Sequence, residues 1–501
     1  MKNHKTTHAL IAFVLILAVT LACKTLIPSG ITQTPVTTSE TPTPASSTSS
    51  NPDAGSSGMG DSLYPDFGNG GYDVQSYLLD ITVHDVTTSE LSAVTTLEVK
   101  AIQNLSSFNL DFIGFDITSI MVNDIPAEFE RSGQELTITP ATPLANKETF
   151  KVIVEYNGQP EIMNSVALPV QTGWVTYDAG IFVLSEPDGS ASFYPVNDHP
   201  LDKANYTFLV TVPKPFEVAA NGTLTETEDN GDTSTFRFEL RDPMASYLTT
   251  INIHDFDTET MQSESGVPIR NYYATGLPSD IRKPFERQGE MIDYFSELFG
   301  PYPFEVYGAL VMDTNFGAAL ENQTMSIFGV DMVDPEDVSG TELTVAHELS
   351  HQWFGDSISV ADWSDIWLNE GFASYSEGLW IEHTQGRAAL DEWVKTQYED
   401  MANFPEYYPP PGLPPADDLF NGGVYIRGGI ALHALRIEVG DEAFFNILKA
   451  YVERYKGGNA STKDFISAAE EVSEQNLAEF FQGWLYTESL PPIPELDLVQ
   501  P

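Results

Sequence analysis

The sequence predicts a multi-domain protein in which an antiparallel β domain precedes a mainly helical α+β domain. The chain has 501 residues, more than the ~100 to 200 that one domain usually holds. Apolar residues alternate with period two from Tyr72 to about Phe256, and the period lengthens to that of a helix after about residue 275. Hydrophobic residues at 42% and aromatics at 11% supply enough apolar surface for both cores.

At the amino end, Lys2, His4 and Lys5 precede an apolar run from Ala9 to Ala22, a charged stretch and a short apolar stretch that read as an export signal over residues 1–22. The run is shorter than the ~20 residues that span a bilayer. Cys23 follows Thr20-Leu21-Ala22, which looks like a bacterial lipobox and makes Cys23 the candidate lipid anchor of a cell-surface protein; a simple secretory signal is the alternative. Residues 23–71 are dominated by Ser, Thr, Pro and Gly and read as a disordered tether, because they bring too little apolar surface to offset the entropy of ordering.

Tyr77, Leu79, Ile81 and Val83 alternate with polar positions, as do Phe150, Val152, Val154 and Tyr156, and again Tyr206, Phe208, Val210 and Val212. Such alternation marks strands with one buried face. Asn157-Gly158, Asp188-Gly189 and Asn221-Gly222 supply turn chemistry. Further on, Phe285, Ile292, Phe295 and Phe299 share a helical stripe that Gly300, Pro301 and Pro303 end. Helical patterns dominate from Thr341 to about Tyr486.

With 23 Lys plus Arg against 73 Asp plus Glu, the net charge is −50, which disfavours nucleic acid and anionic membrane faces as partners. The single cysteine removes any intramolecular disulfide framework and any Cys-based zinc site. A metal centre would have to use His and carboxylate.

His347-Glu348-Leu349-Ser350-His351 meets that requirement. On a helix, positions i and i+4 lie on one face, so both imidazoles reach a single Zn²⁺ with Glu348 beside it. A catalytic zinc takes three protein ligands and leaves a fourth position open. Glu370, in Trp367-Leu368-Asn369-Glu370-Gly371-Phe372-Ala373-Ser374-Tyr375, is the candidate third ligand, since the break at Phe354-Gly355-Asp356 lets a second helix return to the first. Asp365 is weighed as an outer partner of a ligand imidazole against a helix cap. Asp198, His199 and Asp202 read as turn and strand-start residues rather than a second metal site.

HELSHQWFGD and WLNEGFASY resemble the zinc signature of the aminopeptidase N family of gluzincin metallopeptidases, which also contains leukotriene hydrolase. YDVQSYLLDITV, NLDFIGFDITSIMVN and FYPVNDHPLDKANYTFLVTVP are similar to its β domain. The resemblance implies saddle-like sheets over residues 72–258 and a thermolysin-like α+β, mainly helical peptidase domain over 259–501, a short form without the family's carboxy-terminal helical domain. It implies one zinc ion per chain held by His347, His351 and Glu370, with Glu348 as general base. Phe316-Gly317-Ala318-Ala319-Leu320-Glu321-Asn322 resembles the family's Gly-Ala-Met-Glu-Asn loop, which makes Ala318 and Ala319 substrate-backbone contacts and Glu321 a ligand of the substrate's α-amine. By the same resemblance Glu186, in Leu184-Ser185-Glu186-Pro187, is a second amine ligand, and Tyr425, in Val424-Tyr425-Ile426-Arg427-Gly428-Gly429, donates to the developing oxyanion.

The activity so implied is hydrolysis of the first peptide bond of peptides with a free amino terminus by zinc-activated water. A zinc endopeptidase with an open cleft and a catalytically silent peptide-binding surface lipoprotein are the alternatives. Acetylated peptides separate the first two, and loss of a ligand or of the base would mark the third.

Overall fold

The computed structural model describes residues 53–168 and 170–499; the expected export signal, Cys23 and the start of the expected tether lie outside the described residues. The alternating segments form strands whose apolar members point inward: Tyr77, Leu79, Ile81 and Val83 are buried, as are Phe150 to Tyr156 and Tyr206 to Val212 at every second position. They belong to an eight-stranded sheet in the order Thr223–Asp229, Thr233–Met244, Ala204–Pro213, Tyr72–Asp85, Glu90–Ala101, Thr149–Gly158, Asp116–Val122 and Ile125–Pro126. Its neighbours pair antiparallel except at the centre, where Ala204–Pro213 runs parallel to Tyr72–Asp85. Period-two alternation cannot reveal that exception, because it reports which face is buried and not strand direction.

A five-stranded antiparallel sheet joins Met163–Asn164, Gln171–Tyr177, Gly180–Leu184, Ile251–His254 and Glu217–Ala220. Asn221-Gly222 is therefore no hairpin: the strand before it lies in this sheet and the strand after it in the eight-stranded one. The next strand, Phe256–Gln262, pairs with Pro268–Ala274 in the mixed sheet of the following domain, so the changeover falls between His254 and Phe256, a few residues ahead of the 258/259 boundary expected from sequence.

Among the described residues eight α-helices follow: α1 Gln288–Phe299, α2 Val338–Ser350, α3 Trp367–Gln385, α4 Arg387–Asn403, α5 Gly428–Val439, α6 Asp441–Tyr455, α7 Thr462–Ser473 and α8 Ala478–Tyr486. α1 stops at Gly300, whose φ of 108° is open to glycine. Asp337 caps α2 by accepting from the Gly340 amide, and Ser461 with Asp464 forms a capping box on α7. α3 is buried along most of its length. Where it crosses α5, Gly371 meets Gly428 so closely that a Cβ on Gly371 would lie 3.0 Å from the Gly428 backbone.

Residues 53–71 correct the expected tether. Asp53–Ala54 pairs with Leu105–Asp111, Asp61 and Tyr64 are buried, and the Tyr64 hydroxyl donates to the Ala416 carbonyl at 2.7 Å. Asp61 accepts from the Trp363 amide at 2.7 Å and faces His199 Nε2 at 3.2 Å. The stretch is a strap across both domains, ordered by Asp61, Tyr64, Phe67 and Asn69 despite its polar composition. Among the described residues no helix is long and apolar enough to cross a membrane.

Candidate active site

α2 carries His347 and, next to it, Glu348, with His351 at its C-cap one turn on from His347, and α3 packs against it and presents Glu370. The turn between them works because Gly355 adopts φ +133° and because a side chain there would crowd His351 Nδ1, 3.2 Å from an ideal Cβ. Ligand atoms of His347, His351 and Glu370 lie within 4.8 Å of one another. His347 Nε2 stands 3.2 Å and His351 Nε2 3.5 Å from the same oxygen, Glu370 Oε2.

The opposite ring nitrogens are committed. His347 Nδ1 donates to Glu377 at 2.8 Å and His351 Nδ1 to the Phe354 carbonyl at 3.0 Å, which leaves both Nε2 atoms, the ones a metal would take, turned toward Glu370. Burial alone would lower the His351 imidazole, yet the carboxylates of Glu321 and Glu370 lift it to about 9. Burial pushes the Glu370 carboxyl up, but His351 and His347 outweigh it and hold the group below its ordinary value. The pocket thus calls for positive charge at the Nε2 atoms, and two imidazoles with one carboxylate are the donor set that suits Zn²⁺. Glu348 is buried beside them, and that burial pushes its carboxyl up to about 8.

The structure also brings Glu186 and Glu321 together with Glu370, one ligand atom of each within 4.8 Å of the others. Glu186 follows the β-domain strand Gly180–Leu184, while Glu321 follows Ala319–Leu320, a short strand paired with Ser326–Gly329. Both are buried, and Glu186 Oε1 and Glu321 Oε1 have no hydrogen-bond partner. Burial first, and then the charges of Glu321, Glu370 and Glu348, drive the Glu186 carboxyl well above its ordinary value. Ala318 sits in this loop without strain: its carbonyl accepts from the Gly329 amide at 3.1 Å, and the left-handed turn falls on the preceding Gly317 at φ +69°.

Tyr425 lies on a widened turn, Gly423–Arg427, that leads into α5, a form of helix start common at functional sites. Its ring stacks on His347 with centroids 5.9 Å apart. Burial and the surrounding carboxylates Glu370, Glu186, Glu321 and Glu348 keep its hydroxyl a phenol, a hydrogen-bond donor. Arg427 points away from the site and donates to the carbonyls of Trp484, Gly483, Thr487 and Glu488.

Asp365 does not reach an imidazole. It accepts from the Thr462 amide and hydroxyl at 3.1 and 2.6 Å, tying α7 to the start of α3. The partner of His347 is Glu377, which sequence reasoning passed over although it stands at i+7 from Glu370 on α3, the same face two turns on. Tyr247, buried in the β domain, also escaped notice; its hydroxyl accepts from Asn369, beside Glu370, and donates to the Gly355 carbonyl, both at 3.3 Å. Asp198, His199 and Asp202 form no cluster of metal ligands. They bond Ser246, Asp61 and the Val74 amide respectively.

A β-sheet domain joined to a helical domain with an HExxH helix and a glutamate from the next helix defines a gluzincin-type zinc metallopeptidase scaffold. Residues 284–484 match the peptidase family M1 domain and residues 73–248 the peptidase M1 N-terminal domain. The M1 zinc metallopeptidase of Deinococcus radiodurans, solved with a bound Tyr-Ser-Ala substrate, superposes with a TM-score of 0.80 at 33% identity, covering 87% of this chain and 99% of that one. Human glutamyl aminopeptidase is 29% identical over 60% of this chain and 33% of its own length, and Streptomyces lividans aminopeptidase N is 26% identical over 83% and 50%. The chain belongs to peptidase family M1. It spans a third to a half of the length of these curated relatives.

Proposed function

We propose that the protein is a zinc-dependent aminopeptidase that removes the first residue of peptides with a free amino terminus. The observation that carries the reading is the meeting of Glu186 and Glu321, from different domains, beside the His347, His351 and Glu370 cluster. Two buried carboxylates with unpaired oxygens are costly unless a cation joins them, and the α-ammonium of a peptide is such a cation. A zinc ion held by His347, His351 and Glu370 would supply Lewis-acid polarisation and an activated water.

The chain's own residues supply the rest. Glu348 is placed to take a proton as general base and return it to the leaving amine. Tyr425 donates its hydroxyl proton to the oxygen on which negative charge develops, in a setting where few waters compete. Glu186 and Glu321 hold the ammonium so that the first carbonyl, and no later one, meets these groups. The Deinococcus relative was solved with Tyr-Ser-Ala, and structures of a similar two-domain M1 zinc metallopeptidase hold L-tryptophan and L-arginine, which supports large aromatic and basic residues as the class tried first.

The test is a panel of aminoacyl reporter substrates with and without chelator, each paired with its acetylated form, and Glu348→Gln as control. Activity confined to free-amine substrates, abolished by chelator and by Glu348→Gln, is the expected result; equal cleavage of acetylated peptides would favour the endopeptidase alternative. We further propose that the protein is exported and held at the cell surface through Cys23, supported by the lipobox-like Thr20-Leu21-Ala22-Cys23 and the apolar run before it. Loss of membrane fractionation in Cys23→Ser tests this.

A further inference from the structure

Gln352 follows the ligand His351 and is wholly buried. Its side-chain amide reaches across to the loop that bears Glu321: Nε2 donates to the Glu321 carbonyl at 3.0 Å, and Oε1 accepts from the Thr324 amide at 2.8 Å. One planar group therefore grips both ends of the segment Glu321–Thr324. The regular pairing of this strand stops at Leu320, so the Gln352 amide takes over where the sheet no longer holds the chain.

The far side of the same loop is fastened to the β domain. Asn221 Nδ2 donates to the Gln323 carbonyl at 2.8 Å, the Gly222 amide to Thr324 Oγ1 at 2.8 Å, and Asn322 Nδ2 to the Leu248 carbonyl at 3.1 Å. Thr324 is held at φ +68°, a conformation that a β-branched residue adopts only when its surroundings impose it. The loop is thus strained and clamped, and the clamp on the metal side is Gln352 alone among the side-chain bonds described above.

We infer that Gln352 is the positioning residue that sets the separation between the metal centre and the ammonium anchor, and so makes cleavage exopeptidic. The inference rests on the aminopeptidase reading. In a peptide the terminal nitrogen and the carbonyl carbon of the same residue are two bonds apart, about 2.5 Å, whereas the next residue lies ~3.8 Å further on. The site can select the first bond only if Glu321 and the His347–His351 pair keep a fixed distance to well within that step. Gln352 is covalently next to one and hydrogen-bonded to the other.

The test uses the full chain in the Glu348→Gln background, where binding is read without turnover. Calorimetry compares Tyr-Ser-Ala with its acetylated form for Gln352→Met and for the unaltered glutamine, with zinc content and thermal midpoint measured on each. The same substitution with Glu348 intact gives kcat and KM. Two buried hydrogen bonds to the loop and their stranded partners, apart from a longer one that Oε1 accepts from the Tyr302 hydroxyl at 3.3 Å, are worth about tenfold or more in affinity. We expect free-amine binding to weaken by that factor, acetylated binding to stay put, zinc content to stay at one per chain, and KM to rise more than kcat falls.

Should Gln352→Met not fold, Gln352→Asn carries the test, since it keeps a buried side-chain amide that is one methylene too short to hold the Glu321 carbonyl and the Thr324 amide together; it should shift KM the same way by less. Free-amine discrimination unchanged in the variant, with the unaltered protein discriminating, would overturn the inference. No discrimination in the unaltered protein would overturn the aminopeptidase reading instead.

Discussion

Replacing Glu321 by glutamine removes a charge and keeps the shape. Glu321 is 2% exposed and its Oε1 has no partner, so an ammonium beside it would form a charge-assisted hydrogen bond sheltered from water. Such a bond contributes about 1.5 to 3 kcal/mol, against about 0.5 to 1.5 for a neutral acceptor. The difference of roughly 1 to 2 kcal/mol corresponds to a fall of about 5- to 30-fold in kcat/KM for free-amine substrates. Acetylated substrates carry no ammonium and should not respond, so the free-amine preference ought to fall by the same factor. Glu186→Gln in the same background should cost less than it does alone, because both carboxylates serve one cation and their effects do not add. The assay is initial rates on an aminoacyl reporter and its acetylated partner, with zinc content checked on each variant. An unchanged preference, or an equal loss on both substrates, would refute the assignment of Glu321 to the substrate amine.

Glu377→Ala takes the acceptor from His347 Nδ1 and should weaken zinc affinity about 10- to 100-fold, measured by competition with a chromogenic chelator. Removing zinc should lower the thermal midpoint as well as abolish activity, since a ligand at 1,000 times its Kd stabilises by about 4 kcal/mol; calorimetry before and after chelation checks this. Gly371→Ala forces a Cβ to 3.0 Å from the Gly428 backbone and should cost about 1 to 3 kcal/mol by overpacking, with a fall in kcat as α5 and the Tyr425 turn move off α3. Burial pushes the Asp198 carboxyl from its ordinary 3.8 up to about 7, so between these values the folded state keeps a proton that the unfolded chain has released. Stability therefore declines as pH rises from about 4 to about 7, by at most about 4 kcal/mol, and Asp198→Asn should flatten that part of a denaturation-against-pH series.

The amphipathic frame was legible because it is local. Alternation at Tyr77–Val83 and the stripe Ile292, Phe295 and Phe299 record directly which side chains face inward, and the i, i+4 spacing of His347 and His351 places two imidazoles together whatever the rest of the chain does. What sequence reasoning missed depends on partners remote in the chain. Nothing local shows that Ala204–Pro213 lies parallel to Tyr72–Asp85, or that Asp61 bonds the Trp363 amide and orders a segment of tether-like composition. Gln352 is likewise silent as a letter beside His351; its use appears only when the Glu321 loop is folded over it. Glu377 is the exception, a helical neighbour of Glu370 that periodicity alone would have offered.

The strap has a bearing on where the folded body tolerates a cut. Asp53–Ala54 lies on the edge of a β-domain sheet, and by Tyr64 the chain has reached the loop that bears Ala416. A cut in the exposed stretch at Ser56 or Ser57 would part Asp61 and Tyr64 from the Asp53–Ala54 strand yet leave both joined to the body through Tyr72, so the latch between the domains outlasts the loss of that edge strand.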